Sequence, residues 1–523
     1  MRACASRASP RAIGRLGRSR ATLRAAWGAR WPGANRSSGC VRGGTAGAVG
    51  AAVNFLASPS AVPASSAFYA WTYERVLFPG WQRGVRRRST FELLSRLEAT
   101  QWLPASELEA LQLESLRALL RHAGARVPYY RELFRKIGFD PRGVRSRADL
   151  AELPILTRDV VRERYGDLIS TLHRGKNIRK GTSGTTGEPL KFEYCNESES
   201  WRQALRLRAY RWAGYRLGLP TVHYWAQGAT VRRGIGAVKE WVDRALRREV
   251  YVDAIRQDER SMRAAVELIR RFRPHVIVGY TQATALLSRF VIDQKLRDWG
   301  NIPVICGAEA VWPSDRASIA RAFGPDVFET YGSRETMLIG AECEAHRGLH
   351  VSEENLVVEI TCDGEPVADG ESGDVVITDL HNFGMPLIRY LNGDVAALSA
   401  RPLGERACVC GRSLLRLERV DGRRADTLRD PSGAPIPGMV FIAMFAGPRE
   451  IVRQFQVIQA PSGDVRLLVV PGNDWSEADF QGILGRLRPQ LRGLMLESEV
   501  VDQIAVTSSG KRRPIVQLGD APS

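Results

Sequence analysis

Acidic residues and lysine are absent from the first 73 positions of this 523-residue chain, which hold ten arginines instead. That stretch supplies +10 of the formal +18, leaving +8 for the remaining 450 residues, so the basicity belongs mainly to one end. No basic motif interleaved with aromatics and no zinc-finger spacing accompanies the charge, so nucleic acid is not an expected partner. No firm membrane segment stands out either. Residues 43 to 73 carry no charge, but they are mostly Ala, Gly, Ser and Pro, which suits a disordered linker better than a span. Residues 1–75 therefore read as an Arg/Ala-rich disordered tail. Its lack of acids is that of an organelle transit peptide and equally of an upstream over-reading of a GC-rich gene, the second being preferred. Cysteine is scarce as well, eight in all, and Cys195, Cys306 and Cys362 stand alone as in a reducing compartment, so a cytoplasmic location is expected.

What is present is the material of a globular protein. The chain is too long for one hydrophobic core, and its 44% apolar content is enough to bury two or more. SELEALQLESLRALLRHA (106–123) has Ser106 and Glu109 in capping-box spacing, with Leu108, Leu111, Leu116, Leu119 and Leu120 on one face, and predicts an amphipathic helix. Apolar runs then alternate with helical patterns. HVIVGY (275–280) precedes TQATALLSRFVIDQKLRDW, PVICGAEA (303–310) precedes SDRASIARAF, and DVFETYG (326–332) ends in a turn. Such alternation implies an α/β domain with a mostly parallel sheet, whose chemistry sits in the loops leaving strand C-termini. Residues 355–400 read instead as short strands with turns, an antiparallel, barrel-like subdomain. Beyond the turn-rich LRDPSGAPIPG (428–438), a small α+β C-terminal domain joined by a hinge is expected.

Residues 181–189, GTSGTTGEP, come directly after the basic run RGKNIRK and hold no large apolar side chain. Neither Gly184 nor Gly187 is followed by the Lys of a Walker loop, so that reading fails on spacing. Backbone amides and hydroxyls cradling phosphates, with Gly permitting close approach, remain as one reading, and a flexible surface loop as the other.

The order of the motifs downstream of this loop favours the cradle. Over about residues 90–523 the chain resembles the adenylate-forming superfamily, in its branch of phenylacetate-CoA ligases and capsular-polysaccharide-biosynthesis ligases. TSGTTGEP looks like the phosphate loop, GAEAVW (307–312) the adenine-side loop, and YGSRE (331–335) the YGxTE motif. PLIRYLNGD (386–394) is similar to the ribose-binding stretch, GRRAD (422–426) to the hinge, and SSGKRR (508–513) to the C-terminal lysine loop. The resemblance implies an adenylation domain over 90–424 and a mobile C-terminal domain over 425–523. It implies a ligase that uses ATP and Mg2+ to turn a carboxylic acid, often aromatic, into an acyl-adenylate, and then passes the acyl group to coenzyme A. An amine or sugar acceptor in surface polysaccharide biosynthesis is the alternative within the fold, and a non-catalytic binding homologue the alternative outside it. A homodimer is compatible with the family.

By the same resemblance Ser183, Gly184, Thr185, Thr186 and Gly187 hold the β and γ phosphates, and Glu335 ligates Mg2+. Tyr331 stacks on adenine within Tyr331–Gly332–Ser333, Glu309 lies near the base, Asp394 receives the ribose hydroxyls, and Arg423 bridges ribose and hinge. Lys511 is the catalytic cation, reaching the carboxylate and the α-phosphate together. Glu188 stands where relatives often have Lys, and Ala425–Asp426 where they commonly have paired Asp. HYWAQG (223–228) offers aromatics for an acyl pocket. Cys343 and His346 (C-x2-H) and Cys408 and Cys410 (C-x-C) offer three thiolates and an imidazole for a structural Zn2+, with His350 competing for the place of His346.

Overall fold

The structure is a computed structural model that describes residues 64–84, 86–182, 190–225, 235–254, 258–399, 408–423, 427–431, 435–437, 441, 444–445, 451–504 and 515–517. A short antiparallel hairpin of β1 (Ile178–Gly181) and β2 (Lys191–Tyr194) precedes the main sheet. The parallel half of that sheet is built from β3 (Thr221–Trp225), β4 (Glu249–Asp253), β5 (Val276–Tyr280), β6 (Val304–Gly307) and β7 (Val327–Ser333), in the spatial order β4-β3-β5-β6-β7. Every residue of β5 and β6 is buried. Continuous apolar runs are what strands covered on both faces require. The crossover helices Thr281–Asp293 and Pro313–Phe323 do part of the covering.

The segment expected to form a barrel-like subdomain prolongs the same sheet. β8 (Met337–Glu342), β9 (Leu349–Val351), β10 (Leu356–Cys362), β11 (Glu365–Pro366), β12 (Ser372–Asp379), β13 (Tyr390–Leu398) and β14 (Arg416–Arg423) add to β7 in the order β8-β9-β14-β13-β12-β10-β11, all antiparallel. Among the described residues no pairing closes them into a barrel: β14 joins β13 to β9 inside the sheet, and β11 is left at its edge. The change of direction falls within β7. Val327–Glu329 pair parallel with β6, and Thr330–Ser333 pair antiparallel with β8.

Two expectations at the N-terminal side need correction. Residues 64–75, assigned to the tail, are helical: Ala64–Thr72, a π turn at Tyr73–Leu77 and Phe78–Gly84 succeed one another, and Tyr73 and Phe78 join the core around Leu94 and Trp201. The amphipathic helix runs Ala105–Arg126 and buries Leu108, Leu116, Leu119 and Leu120, with Leu111 half-buried, yet its N-cap is Pro104. Ser106 therefore lies one residue inside the helix and forms no capping box.

The C-terminal part is α+β. Val452–Gln459, Val465–Pro471, Leu496–Val500 and Ile515–Gln517 form a four-stranded mixed sheet, which packs with helix Glu477–Leu487 around Val457, Leu467, Phe480 and Leu484. Among the described residues no helix is long and apolar enough to cross a membrane.

Candidate active site

The hairpin β1–β2 carries the Ser/Thr/Gly stretch between its strands. Ser183, Gly184, Thr185, Thr186 and Gly187 lie outside the described residues, but the ends of the loop are tied. Thr182 N–H donates to Leu190 O, and Leu190 N–H to Thr182 Oγ1, each at 3.0 Å. Arg334 Nη1 donates to Gly181 O at 3.0 Å, which holds the root of that loop beside YGSRE.

YGSRE occupies the end of β7, where the sheet changes direction. A bulge separates Tyr331 from Gly332, and a Cβ on Gly332 would lie 1.9 Å from Met337 O, so only glycine lets β8 turn back this tightly. Ser333 Oγ accepts from Thr336 N–H at 3.2 Å and pins the turn. This places Glu335 inside the protein, 2% exposed, where its Oε1 accepts from Arg158 Nη2 at 3.0 Å and from Tyr390 OH at 3.1 Å. Burial, and then the neighbouring Glu335 charge, push the Tyr390 phenol well above its ordinary range, so it remains a donor. Arg202, itself buried, donates to Glu335 O and pairs with Asp379 Oδ2 at 3.2 Å, so the backbone under the carboxylate is held by a guanidinium.

Across the seam Tyr331 OH donates to Asp394 Oδ2 at 2.8 Å, and Asn392 Nδ2 donates to Tyr331 OH at 3.0 Å. Asp394 faces Arg423 in the β13–β14 register, which brings the ribose-like stretch and the hinge-like stretch side by side; the Arg423 side chain lies outside the described residues. Glu309 comes just after β6, and its Oε2 accepts from Gln282 N–H at 3.0 Å, at the N-terminus of helix Thr281–Asp293. Lys511 lies outside the described residues. Residues 331–335, 394 and the root of the phosphate-like loop thus converge, while sequence reasoning overlooked Arg158, Arg202 and Tyr390. Tyr390 lay inside the quoted PLIRYLNGD. Thr157, whose Oγ1 accepts from Val160 N–H and caps the helix beginning at Arg158, was the signal for the arginine.

A cavity of about 450 Å3, whose wall includes Gln203, Arg206, His223, Trp225, Glu249 and Met337, adjoins YGSRE through Met337, the β8 partner of Ser333. Alternation along β3 puts His223 and Trp225 on its wall and sends Tyr224 into the core on the other face. Trp225 packs on Tyr280 with ring centroids 4.1 Å apart and would be 3.6 Å from a Cβ on Gly307, so the cavity adjoins the GAEAVW loop as well.

A second cluster lies on the antiparallel side. One ligand atom from each of Cys343, His350, Cys408 and Cys410 lies within 4.8 Å of the others, with Sγ of Cys343 and Cys408 4.0 Å apart and Cys410 Sγ 3.4 Å from His350 Nε2. The histidine in this group is His350 rather than His346. His350 pairs with Arg416 across β9–β14, shortly after the CVCG turn, whereas His346 sits in the turn before β9 with its Nδ1 3.4 Å from Glu342 Oε2 and its ring on Phe328.

No protein-family profile matches the chain. It is 30% identical over 378 residues to a phenylacetate-coenzyme A ligase of Thermus thermophilus, covering 69% of this chain and 80% of that one. To Protein CapK of Staphylococcus aureus it is 22% identical over 420 residues, covering 78% and 89%. Among solved structures, 2-hydroxyisobutyryl-CoA ligase in its postadenylation state, in complex with R3-HIB-AMP, shares the fold with a TM-score of 0.65 at 20% identity, over 80% of this chain and 91% of that one.

Proposed function

The chain belongs to the phenylacetate-coenzyme A ligase family, and from that premise we propose how its own residues perform ATP-dependent activation of a carboxylic acid and transfer of the acyl group to coenzyme A. The observation that carries the reading is the meeting of Glu335, Arg158, Tyr331 and Asp394 at the seam of one sheet, beside the root of a Ser/Thr/Gly loop.

In the first half-reaction a carboxylate oxygen attacks the α-phosphorus in line, the bond from that phosphorus to the oxygen bridging to the β-phosphate breaks, and pyrophosphate leaves. The hydroxyls and amides of residues 183–187 hold the departing phosphates. Glu335 is the residue that would hold Mg2+, a hard ion suited to a buried carboxylate, and the ion supplies charge neutralisation on the phosphate oxygens. Arg158, already aimed at that carboxylate, is the second cation for the phosphates. Asp394 accepts from the ribose hydroxyls, and Tyr331, anchored to Asp394 through its hydroxyl, offers its ring to the base. Lys511 spans carboxylate and α-phosphate, offsetting the repulsion of two anions. In the second half-reaction the coenzyme A sulfur attacks the acyl carbon, the bond from that carbon to the AMP oxygen breaks, and the thiol proton passes to solvent. By the family resemblance, the C-terminal α+β unit would turn at the hinge-like GRRAD (422–426) between the two arrangements.

The likeness to Protein CapK keeps one second reading, transfer to an amine or sugar. Acid-dependent ATP–pyrophosphate exchange tests the first half-reaction, and acid- and coenzyme-A-dependent AMP release decides between acceptors. Exchange stimulated by an acid and lost in Lys511→Ala is the expected result. Exchange that survives Lys511→Ala would remove that lysine from the mechanism.

We further propose that Cys343, His350, Cys408 and Cys410 hold Zn2+. A tetrahedral zinc with bonds of roughly 2.3 Å to sulfur and 2.0–2.1 Å to nitrogen sets its ligand atoms about 3.5–3.8 Å apart. The 4.0 and 3.4 Å separations bracket that range. His350 Nδ1 faces Leu414 O at 3.4 Å, which leaves Nε2 as the lone-pair side toward the thiols, and Arg416 Nη1 lies 3.9 Å from Cys408 Sγ as a compensating charge. The metal would tie the turn before β9 to the turn before β14. One zinc per chain by elemental analysis, lost in His350→Ala and kept in His346→Ala, is expected. A metal-free protein, or loss with the His346 variant alone, overturns the assignment.

A further inference from the structure

The cavity beside the seam carries charge that an unsubstituted aryl group does not use. Glu249 on its wall accepts from Tyr215 OH at 2.8 Å; burial pushes its carboxyl up, but His223, Arg247 and Arg206 outweigh that and hold it down at about 2. Two arginines of the lining have carboxylate partners, Arg88 with Glu199 at 3.4 Å and Arg247 with Asp243 at 3.2 Å. Arg206 differs. Its guanidinium donates to Gln203 Oε1 at 3.1 Å and stands over the Tyr210 ring, and among the described residues no carboxylate lies within ion-pair distance of it, Glu249 acting on it only at longer range.

His223, 6% exposed and stacked on Tyr251, has its buried Nε2 3.7 Å from Glu249 Oε2, within ion-pair range but too far for a hydrogen bond, so the nitrogen makes none. A buried polar atom left without a hydrogen bond is unfavourable, and a bound ligand that supplies the partner removes that cost. The two groups also have a defined place. Met337 on the cavity wall pairs with Ser333 of YGSRE across β7–β8, and on the ligase reading the reacting carboxylate lies on that side; His223 lies two residues back from Trp225 along β3, about 7 Å away.

Resting on the ligase reading, we propose that the acid activated by this enzyme carries a hydrogen-bond acceptor at the end remote from its reacting carboxylate, held by Arg206 and His223. A hydroxyl, a carbonyl or a second carboxylate oxygen satisfies the requirement, and an unsubstituted hydrocarbon tail does not. A site built to hydrogen-bond a substrate group discriminates strongly against the analogue lacking it, because its own polar groups are then left unpaired.

The test compares phenylacetate with its 4-hydroxy and 4-carboxy derivatives in ATP–pyrophosphate exchange. The expected result is a kcat/KM at least tenfold higher for one substituted acid, a ratio that falls toward one in Arg206→Met and in His223→Leu and is partly restored in Arg206→Lys. The preferred derivative tells whether the acceptor is neutral or anionic. Equal rates across the three acids, or a ratio unchanged in Arg206→Met, overturn the inference and leave the ligase reading in place. If no acid supports exchange, the ligase reading falls and calorimetric binding of the same three acids decides. Tighter binding of a substituted acid, lost in Arg206→Met, upholds the polar subsite, and equal or absent binding overturns it.

Discussion

Glu335, proposed above to hold Mg2+, is a carboxylate whose surroundings are already assembled around it. A buried carboxylate is costly unless paired, and here Arg158, Tyr390 and the Arg202-held backbone supply the pairing. Glu335→Gln keeps the shape and removes the charge. Exchange is expected to fall by about a hundredfold or more, as when one preorganised electrostatic group is lost, and its dependence on Mg2+ concentration to shift upward. A fall of less than about threefold would take the residue out of the metal's coordination. His381 gives a second expectation at this scale. Burial, and then the charge of Arg96, push its pKa down from 6.5 to about 3, and its ring stacks on Trp201 at 3.8 Å. The unfolded chain takes up a proton near pH 6.5 that the native protein refuses until about pH 3, so the stability this provides is present above pH 6.5 and is lost as the pH falls toward 3. Between pH 7.5 and 5 the loss is about 2 kcal/mol. Urea midpoints at these two pH values should therefore differ more in the wild type than in His381→Gln, which removes the titrating ring, and equal differences would refute the assignment.

The seam strand is the element on which the site depends. β7 pairs parallel at its start and antiparallel at its end, and the bulge at Tyr331/Gly332 lets it serve both neighbours. Gly332→Ala would drive a methyl into Met337 O. Either β8 shifts, displacing Glu335 and the mouth of the cavity, or the pairing breaks, so exchange activity should fall at least tenfold together with a lower unfolding midpoint. A variant with unchanged activity would mean that the turn relaxes without moving Glu335. The elements also show what was legible. The strands of the parallel half read directly as apolar runs, because burial on both faces permits nothing else, and YGSRE was visible because its glycine and charges break that rule. The sheet's continuity was not legible, since a period of two marks a strand without naming its neighbour. Arg158, Arg202 and Tyr390 were missed because long-range pairing, with separations of 177 residues for Arg158–Glu335 and Arg202–Asp379, leaves no local trace. The exchange of His346 for His350 has the same origin, a Cys410–His350 contact made across 60 residues of sequence.

At the scale of the whole molecule, residues 64–75, which composition assigned to a tail, prove to be part of the main body. The absence of acids before residue 74 hid a run of aromatics, Phe68, Tyr69, Trp71 and Tyr73, whose spacing is helical. Tyr73 and Phe78 are 3% and 5% exposed, Tyr69 OH donates to Leu246 O at 2.6 Å, and a Cβ on Gly218 would stand 3.0 Å from Ala70 Cα, so this helical segment and the turn before β3 are in close contact. Phe78 and Gln82 also line the cavity beside the seam. A chain beginning at residue 86 loses both the packing and that wall. Removing a buried aromatic costs about 3–5 kcal/mol, so the urea midpoint of the main body should fall by several kcal/mol in equivalent stability. The two losses separate in kinetics if, as proposed, the cavity receives the acid and not the nucleotide. In the shortened protein, at a temperature where it remains folded, KM for the acid should rise at least fivefold while KM for ATP changes less than twofold. A parallel rise in both would show that the deletion acts through general loosening of the fold, and an unchanged midpoint would show that the helical segment contributes nothing to it.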